Sequence, residues 1–202
     1  MPTLTLPTLT RTAPTVVSFR LLHNTQSFES PLNRTVQTLE LPGARWQAVV
    51  EWKNLVEADA RIFKAFLASL RGAAGRFYLG DLSHGTPAGT ALGTPLVKGA
   101  SQTGTSLVTD GWSAGQTSLL LPGDYFSVNG ELKIITAVCT SDGSGNATLS
   151  FAPPLRSAPA DNAPITVINP VATFRLKDDE QDQIQIDPDR FPSVSFEAVE
   201  VF

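Results

Sequence analysis

The chain has 202 residues, enough to bury the core of one large domain or of two small ones. Its 15 basic and 19 acidic residues give a net charge of −4, which disfavours general binding to nucleic-acid phosphates. A single cysteine, Cys139, excludes an intrachain disulfide and a zinc site built on cysteines. Because the start lacks a signal-peptide pattern and no run of about 20 apolar residues occurs, we expect a soluble protein made in a reducing cytoplasm.

The first predicted elements are two short β-strands, Val16 to Leu22 and Thr35 to Leu41. Between them, Pro31 fixes its own φ and favours an extended residue before it. The segment Phe28 to Leu32 is therefore predicted to be a stiff, exposed lead-in to the second strand. The pair Pro42-Gly43 is typical of a turn, since its glycine tolerates a positive φ.

The next segment, Arg45 to Trp52, alternates between apolar and more polar positions. One side of this strand carries Trp46, Ala48, Val50 and Trp52. The alternation predicts a half-buried strand that leads directly into a helix.

A single amphipathic helix is predicted from about Leu55 to Leu70. Its apolar residues recur at spacings of three and four, at Ile62, Phe63, Phe66, Leu67 and Leu70. Asn54 stands where an N-cap is expected, with Glu57 three residues later to complete a capping box. Gly72, just past Arg71, stands where a glycine commonly ends a helix. We expect the apolar stripe to pack on a sheet.

The middle of the chain is rich in glycine and sparse in charge, with 11 of the 15 glycines between Gly85 and Gly145. The strongest hairpin signal lies between Leu119 and Val138, where Asn129-Gly130 suits a type I′ turn. Short strands and frequent turns here predict a small closed or nearly closed β-barrel of some 80 residues.

The C-terminal segment supplies further strands from about Ala172 onward. Near the end, Val194, Phe196 and Ala198 share one face before the apolar pattern shifts, which predicts a bulge near Ala198. Phe202 continues the pattern, so we expect the end of the chain to lie in the sheet. The prediction is one discontinuous domain, residues 1–84 plus 168–202, interrupted by an inserted barrel at residues 85–167.

Residues suited to catalysis are few. His84 and Asp81 lie three apart in a loop and could belong to a hydrolase triad, but no nucleophile elbow is present. Cys139 ends a strand-like run and is expected to be a buried, small apolar residue. Phosphate-binding glycine loops are absent from the sequence. We therefore predict no catalytic site, no cofactor and no enzymatic activity.

Two groups of residues offer binding hypotheses. An acidic run could supply oxygen ligands to calcium, but it lacks the EF-hand spacing and is expected to be a solvated surface without metal. Its members are Asp178, Asp179, Glu180, Asp182, Asp187 and Asp189. Three aromatic residues of the insert, Trp112, Tyr125 and Phe126, could stack on a sugar or base, although barrel core is the expected place for them.

A series of short motifs runs in order along almost the whole chain: FESPLNRTVQTLELPGARW, FLASLRG, GDL, GTPLVKGASQTG, DGW, GDYFSVNGELK, FAPPLR and SFEAVEVF. The order of these motifs resembles that of the distal tail proteins of long-tailed siphophages. The resemblance implies a mainly β protein with one α-helix, in which a discontinuous β-sandwich or split barrel forms a ring. Some members of that family carry an inserted barrel similar to the oligonucleotide/oligosaccharide-binding (OB) fold, which corresponds here to residues 85–167.

This resemblance also implies a structural function. Six copies would form a ring at the tail tip of the virion, between the tail tube protein and the baseplate hub, after synthesis in the bacterial cytoplasm. DNA would pass through the ring without specific binding, and no membrane would be involved. Phe28, Ser30, Pro31, Leu32 and Asn33 are predicted to form the ring interface. Acidic side chains are predicted to face the lumen, namely Asp178, Asp179, Glu180 and Asp182.

The alternative is an adhesion protein of the tail tip that binds host carbohydrate through the inserted barrel. In that case Trp112, Tyr125 or Phe126 would stack on the sugar.

Overall fold

The computed structural model describes residues 2–10, 13–181, 184–186 and 192–202, with the backbone alone for 184–186. These residues confirm a mainly β protein with one α-helix, α1 (Glu57–Leu70), followed by a 3-10 turn at Gly72–Ala74. The strands before the predicted insert are β1 (Leu4–Thr5), β2 (Val16–Leu22), β3 (Thr25–Glu29), β4 (Val36–Glu40), β5 (Arg45–Trp52) and β6 (Phe77–Leu79). Those that follow are β7 (Gly93–Val97), β8 (Gly104–Trp112), β9 (Tyr125–Val128), β10 (Glu131–Ile135), β11 (Ala147–Leu155), β12 (Ile165–Thr166), β13 (Ala172–Leu176), β14 (Ile184–Ile186) and β15 (Pro192–Glu200).

One sheet joins strands from both ends of the chain. Within the described ranges it has seven strands in the order β1-β6-β13-β15-β5-β2, with β14 paired to β15 beside this path. Strands β1 and β6 run parallel, whereas β15 pairs antiparallel with both β5 and β13. The sheet therefore combines strands that precede residue 84 with strands that follow residue 168. We call this sheet with its helix the main domain.

The end of the chain differs from the sequence prediction. Strand β15 pairs with β5 in an unbroken register from Val194↔Trp52 to Val199↔Gln47, so the predicted bulge near Ala198 is wrong. The apolar pattern shifts because Val199 and Glu200 are both buried, so both faces of the strand are covered at this end. Phe202 lies beyond the strand and is 78% exposed, so its predicted place in the sheet is wrong too.

The start of the helix also corrects the prediction. Val56 occupies the N-cap with an extended backbone and no side-chain cap hydrogen bond, so the capping box with Asn54 and Glu57 is absent. Asn54 instead adopts a φ of 55°, and the next residue, Leu55, donates its N–H to the carbonyl of Pro192. This tertiary hydrogen bond holds the chain against β15 before the helix begins.

The helix ends at Leu70, as predicted, because Arg71 takes the left-handed conformation at φ 54° and Gly72 follows at φ 64°. Its buried face contains most of the predicted stripe, namely Phe63, Phe66, Leu67 and Leu70. Ile62 is 44% exposed, which corrects its assignment to that face. Asp59 and Ala60 are buried in its place, because they lie one turn before Phe63 and share its side of the helix.

The inserted segment forms the predicted, nearly closed barrel. Its six strands, all in the described part of the chain, follow the order β12-β9-β10-β11-β8-β7. The two end strands meet through a bridge between Leu96 and Pro164, and the Val97 N–H donates to the carbonyl of Ala163 at 3.0 Å. The hairpin β9–β10 turns at Asn129 and Gly130 with φ values of 52° and 77°, which confirms the predicted turn position.

The helix and the barrel cover the same face of the main sheet. Strand β5 buries Trp46, Ala48, Val50 and Trp52 on that face, as predicted. At one end the Trp52 ring lies 4.7 Å from the ring of Phe63 in the helix. At the other end Trp46 lies 5.5 Å from Tyr125 of the barrel, and its Nε1–H donates to the carbonyl of Leu132 at 2.9 Å. The barrel thus completes the core of the main domain.

Replacing Phe63 with alanine should lower the free energy of unfolding by about 3–5 kcal/mol, because Phe63 is fully buried against Trp52. The matched control is Ile62→Ala on the same helix, which should change it by at most about 0.5 kcal/mol because Ile62 is half exposed. Urea denaturation followed by tryptophan fluorescence measures both. Equal losses in the two variants would contradict the observed orientation of the helix.

Candidate assembly site: an exposed hairpin arm

The most exposed ordered element is a β-hairpin formed by residues 25–40, which we call the arm. Its strands, β3 and β4, form a two-stranded sheet separate from both larger sheets. Their register runs without a shift from Thr25↔Glu40 to Glu29↔Val36, and every strand residue is exposed. A two-stranded hairpin by itself is only marginally stable in water, so an arm of this kind gains stability when a partner covers it.

The tip of the arm is held by local hydrogen bonds. Ser30 donates its N–H to the carbonyl of Thr35, and Arg34 donates its N–H to the carbonyl of Ser30, both at 2.9 Å. The Asn33 carboxamide oxygen accepts from the N–H and the hydroxyl of Thr35 at 3.2 and 2.8 Å. Arg34 adopts a left-handed φ of 57° to close the turn. The tip therefore has a defined shape before any partner binds.

The arm exposes large apolar side chains. Phe28 is 69% exposed, Leu32 at the tip is 95% exposed, and Val36 and Leu39 are each 58% exposed. Phe28 and Leu39 lie on the same face, because Phe28 pairs with Gln37 and Leu39 pairs with Gln26 two residues away. Exposed apolar groups gathered on one element are typical of an interaction surface.

The predicted interface residues all lie in the outer half of the arm: Phe28, Ser30, Pro31, Leu32 and Asn33. Phe28 belongs to strand β3, which the sequence did not predict as a strand because its other residues, Thr25, Gln26, Ser27 and Glu29, are polar. The predicted second strand corresponds to β4. Local alternation was enough to predict β4, whereas β3 depends on pairing with it.

The acidic residues predicted to face a lumen lie on the surface after β13. Asp178, Asp179 and Glu180 are exposed, and Asp182 lies outside the described residues, as do Asp187 and Asp189. Asp178 accepts hydrogen bonds from the Glu180 N–H and the Gln181 side chain at 3.0 Å. The Asp179 carboxylate accepts from the Ala73 N–H at 2.8 Å, which ties this segment to the turn after the helix.

The three aromatic residues suggested for glycan stacking are buried. Trp112 and Phe126 lie in the barrel core, where Trp112 donates its indole N–H to the hydroxyl of Thr109 and Phe126 packs edge-on against Phe151. Tyr125 lies in the core shared with the main domain. Trp112 is 5% exposed, Phe126 0% and Tyr125 7%, so the hypothesis that these three rings stack on a sugar is wrong.

Asp81 and His84 do come together, as a triad would require. The His84 Nδ1 lies 3.0 Å from the Asp81 Oδ2. Asp81 also affects Tyr125: burial, together with the charge of Asp81, raises the pKa of the Tyr125 hydroxyl to about 12. Among the described residues no serine or cysteine side chain hydrogen-bonds the His84 ring. Burial raises the pKa of the Cys139 thiol to about 11, so this residue is a protonated core residue at neutral pH.

A buried ionic network that the sequence patterns did not predict lies where the barrel meets the main domain. Lys133, fully buried, donates to Glu131 Oε2 at 2.7 Å, and Glu131 also accepts from the N–H groups of Arg156 and Ser157 at 3.1 Å. The guanidinium of Arg156 then forms a two-pronged ion pair with Glu200 of β15. Charges in strands are usually solvated, so only the alternation of Glu131 and Lys133 on one face could have signalled this pair.

A groove of about 570 Å³ lies beside the contact between the barrel and the main domain, at the base of the arm. We call it the junction groove. Its walls are the segment 41–44 after the arm, the end of β11 with Pro153, Pro154 and Leu155, and the exposed ring of Phe202. The Arg156 guanidinium lies 4.1 Å from the centre of the Phe202 ring. The groove is therefore mainly apolar with one cation in its wall.

No protein-family model and no curated protein matches the chain. In the described part of the chain no helix is long and apolar enough to cross a bilayer. The described residues also contain no cluster of three or more His, Cys, Asp or Glu side chains arranged to hold a metal ion.

The stability of the fold should fall as the pH drops below about 4.5, partly through Glu131. Burial alone would raise the pKa of Glu131, but hydrogen bonds from Lys133, Arg156 and Ser157 lower it below its ordinary value of 4.5. Because the folded chain binds this proton less readily than the unfolded chain, the stabilising contribution is complete above the unfolded pKa and is lost as the pH falls through the folded one.

Urea midpoints measured between pH 7 and pH 3 test this. Glu131→Gln should be less stable at pH 7, by about 3–5 kcal/mol, because Lys133 then lacks its buried partner. The same variant should show a flatter pH profile than the unchanged protein. If the urea midpoint of the variant falls as steeply with pH as that of the unchanged protein, Glu131 does not contribute to the loss of stability in acid.

Proposed function

We propose that the protein is a structural component of a phage tail tip that assembles into a ring through which DNA passes. The observation that carries the proposal is the arm, an ordered hairpin whose exposed residues include Phe28 and Leu32. Support also comes from the order of sequence motifs and from a mainly β fold with a barrel inserted near residue 85. No reaction and no cofactor are proposed.

The proposed partners are further copies of this chain, six in the ring, together with the tail tube protein and the baseplate hub. The sheet edges support assembly, since β1 and β2 end the path of the main sheet within the described ranges and offer unpaired backbone groups. The proposed location is the virion tail tip, with assembly in the bacterial cytoplasm and no membrane contact. The inserted barrel is proposed to be OB-like.

Charge supports the passage of DNA. The net charge is −4, and Asp178, Asp179 and Glu180 are exposed on one short segment. A lumen lined by carboxylates repels phosphates and lets DNA slide, whereas a basic lumen would hold it. We assign these three residues to the lumen or to the interface beside it.

The carbohydrate-binding alternative has less support. It rested on Trp112, Tyr125 and Phe126, and all three rings are buried. A glycan bound by the barrel would need other residues to stack on.

Changing Phe28 or Leu32 to aspartate should block assembly while the monomer stays folded. Burying either side chain at an interface contributes roughly 1.5–3 kcal/mol, so each change should weaken the contact by roughly 10-fold or more. The measurements are urea midpoints for the monomer and, for assembly, incorporation into tails by mass spectrometry of purified virions.

The matched control for this experiment is Val108→Asp, which adds the same charge at an apolar barrel position that is 42% exposed. It should leave incorporation unchanged. Normal tails from the arm variants would show that the arm is not the interface, and absence of the unchanged protein from virions would falsify the tail-tip function.

Replacing Glu180 with lysine should slow DNA release from assembled particles, most at low ionic strength, because each ring subunit then presents a cation to the phosphates. Glu57→Lys is the matched control, since it makes the same change in net charge at an exposed position on the helix. Release can be followed by dye binding after receptor-triggered ejection. Equal release rates for the two variants would place Glu180 outside the channel.

A further inference from the structure

Two surfaces of the chain complement one another: the tip of the arm and the junction groove. The arm tip exposes Phe28 and Leu32, and the walls of the groove are formed mainly by proline, leucine and phenylalanine side chains. Matching of apolar surface in this way provides the main free energy of association. In a single free chain, both the arm tip and the junction groove leave apolar surface in contact with water.

The charges on the two surfaces are also complementary. Glu29 and Arg34 flank the apolar residues of the arm tip, and both are exposed. In the junction groove the corresponding pair is Arg156 and Glu40. An arm placed in the groove can bring Arg34 towards Glu40, and Glu29 towards Arg156, whose guanidinium is already paired with Glu200 within its own chain.

Three of the five N–H groups of Arg156 are used within the chain, so two are left for such a contact. Its Nη atoms donate to the Glu200 carboxylate and to the carbonyl of Ala44, whereas its buried Nε–H has no partner in the described part of the chain. An unpaired buried N–H costs free energy. A small shift of the guanidinium towards an incoming carboxylate would remove that cost.

The arm cannot fill the groove of its own chain. Strand β4 ends at Glu40, and the next residues, 41–44, form a wall of the groove, so the arm starts there and extends outward. Five paired residues on each strand place the tip about 17 Å from the base. Folding the tip back would break this ladder of hydrogen bonds, so the occupant must come from another molecule.

We infer that the arm tip of one copy docks in the junction groove of the next copy. This inference rests on the proposed function, because it supplies the contact from which the ring is built. The arm and the groove are different surfaces, so the contact is heterologous and repeats in one direction until the ring closes.

The size of the contact sets how tightly two copies bind. The arm contributes 16 residues, 25–40, and ten residues line the groove. Stable interfaces usually involve about 20–30 residues on each side. A single arm-to-groove contact is therefore weak, and ring closure, in which every copy makes two such contacts, is needed for a lasting assembly.

Thiol crosslinking between two engineered positions tests the contact. Leu32→Cys marks the arm tip and Pro154→Cys marks the groove, whereas the native Cys139 is buried and does not react. A mixture of the two single variants, treated with a short bismaleimide, should give a dimer that contains one copy of each. A chain carrying both changes should give a ladder of multimers.

The control mixture combines Leu32→Cys with Val108→Cys, an exposed position on the barrel. It should give at least 10-fold less mixed dimer at the same concentration. If Pro154→Cys lowers the urea midpoint, the adjacent Leu155→Cys replaces it. Mixed dimer no higher than in the control, at every protein concentration tested, overturns the inference.

A charge exchange adds a second readout. Glu40→Lys or Arg34→Glu alone should lower the crosslinking yield about two- to fivefold, the range expected for an exposed ion pair. Combining the two changes should restore the yield, because the pair is re-formed with reversed signs. A double variant no better than either single one would contradict the assigned orientation.

These outcomes separate the inference from the proposed function. Virions that contain the protein in a ring without the arm-to-groove crosslink would overturn the inference and leave the tail-tip function standing. A strong crosslink from a protein that is absent from virions would do the reverse.

Discussion

The carboxylate of Glu200 connects the two parts of this protein. It is 1% exposed, lies on β15, and accepts hydrogen bonds from Arg156 of the inserted segment and from the backbone N–H of Trp46 in β5. Arg156 in turn reaches the carbonyl of Ala44, just after the arm. The position of the barrel on the main sheet, the shape of the junction groove and the base of the arm all depend on the ion pair between Glu200 and Arg156. Removing one partner would leave the other as an uncompensated buried charge.

The way the chain buries its apolar surface decides which surfaces remain for partners. The helix and the barrel together cover one face of the main sheet, with Trp52 meeting Phe63 at one end and Trp46 meeting Tyr125 at the other. The opposite face carries polar contacts, such as that between Arg20 and Gln47. The arm carries four of the exposed large apolar side chains, and Phe202 adds another at the adjoining junction groove.

Several ionisable groups in this fold are buried or paired with one another. Glu131 and Lys133 hold one another and the backbone near Arg156, and burial keeps the thiol of Cys139 protonated. Asp81 orients His84, although no serine or cysteine side chain in the described residues is hydrogen-bonded to that ring. The pairing of Glu131 with Lys133 and the exposed apolar groups on the arm are compatible with the proposed structural function.

Local patterns in the sequence were sufficient for the elements that depend on near neighbours. The alternation around Trp46, the helical stripe ending at Leu70 except for Ile62, and the Asn129-Gly130 turn appear as predicted, because strand period, helix period and turn geometry act over a few residues. Tertiary contacts decided the rest. A backbone hydrogen bond to Pro192 delayed the helix start, and the partner of Glu200 lies 44 residues away in Arg156. Such long-range pairing leaves no periodic signal in the sequence, so only the folded chain shows it.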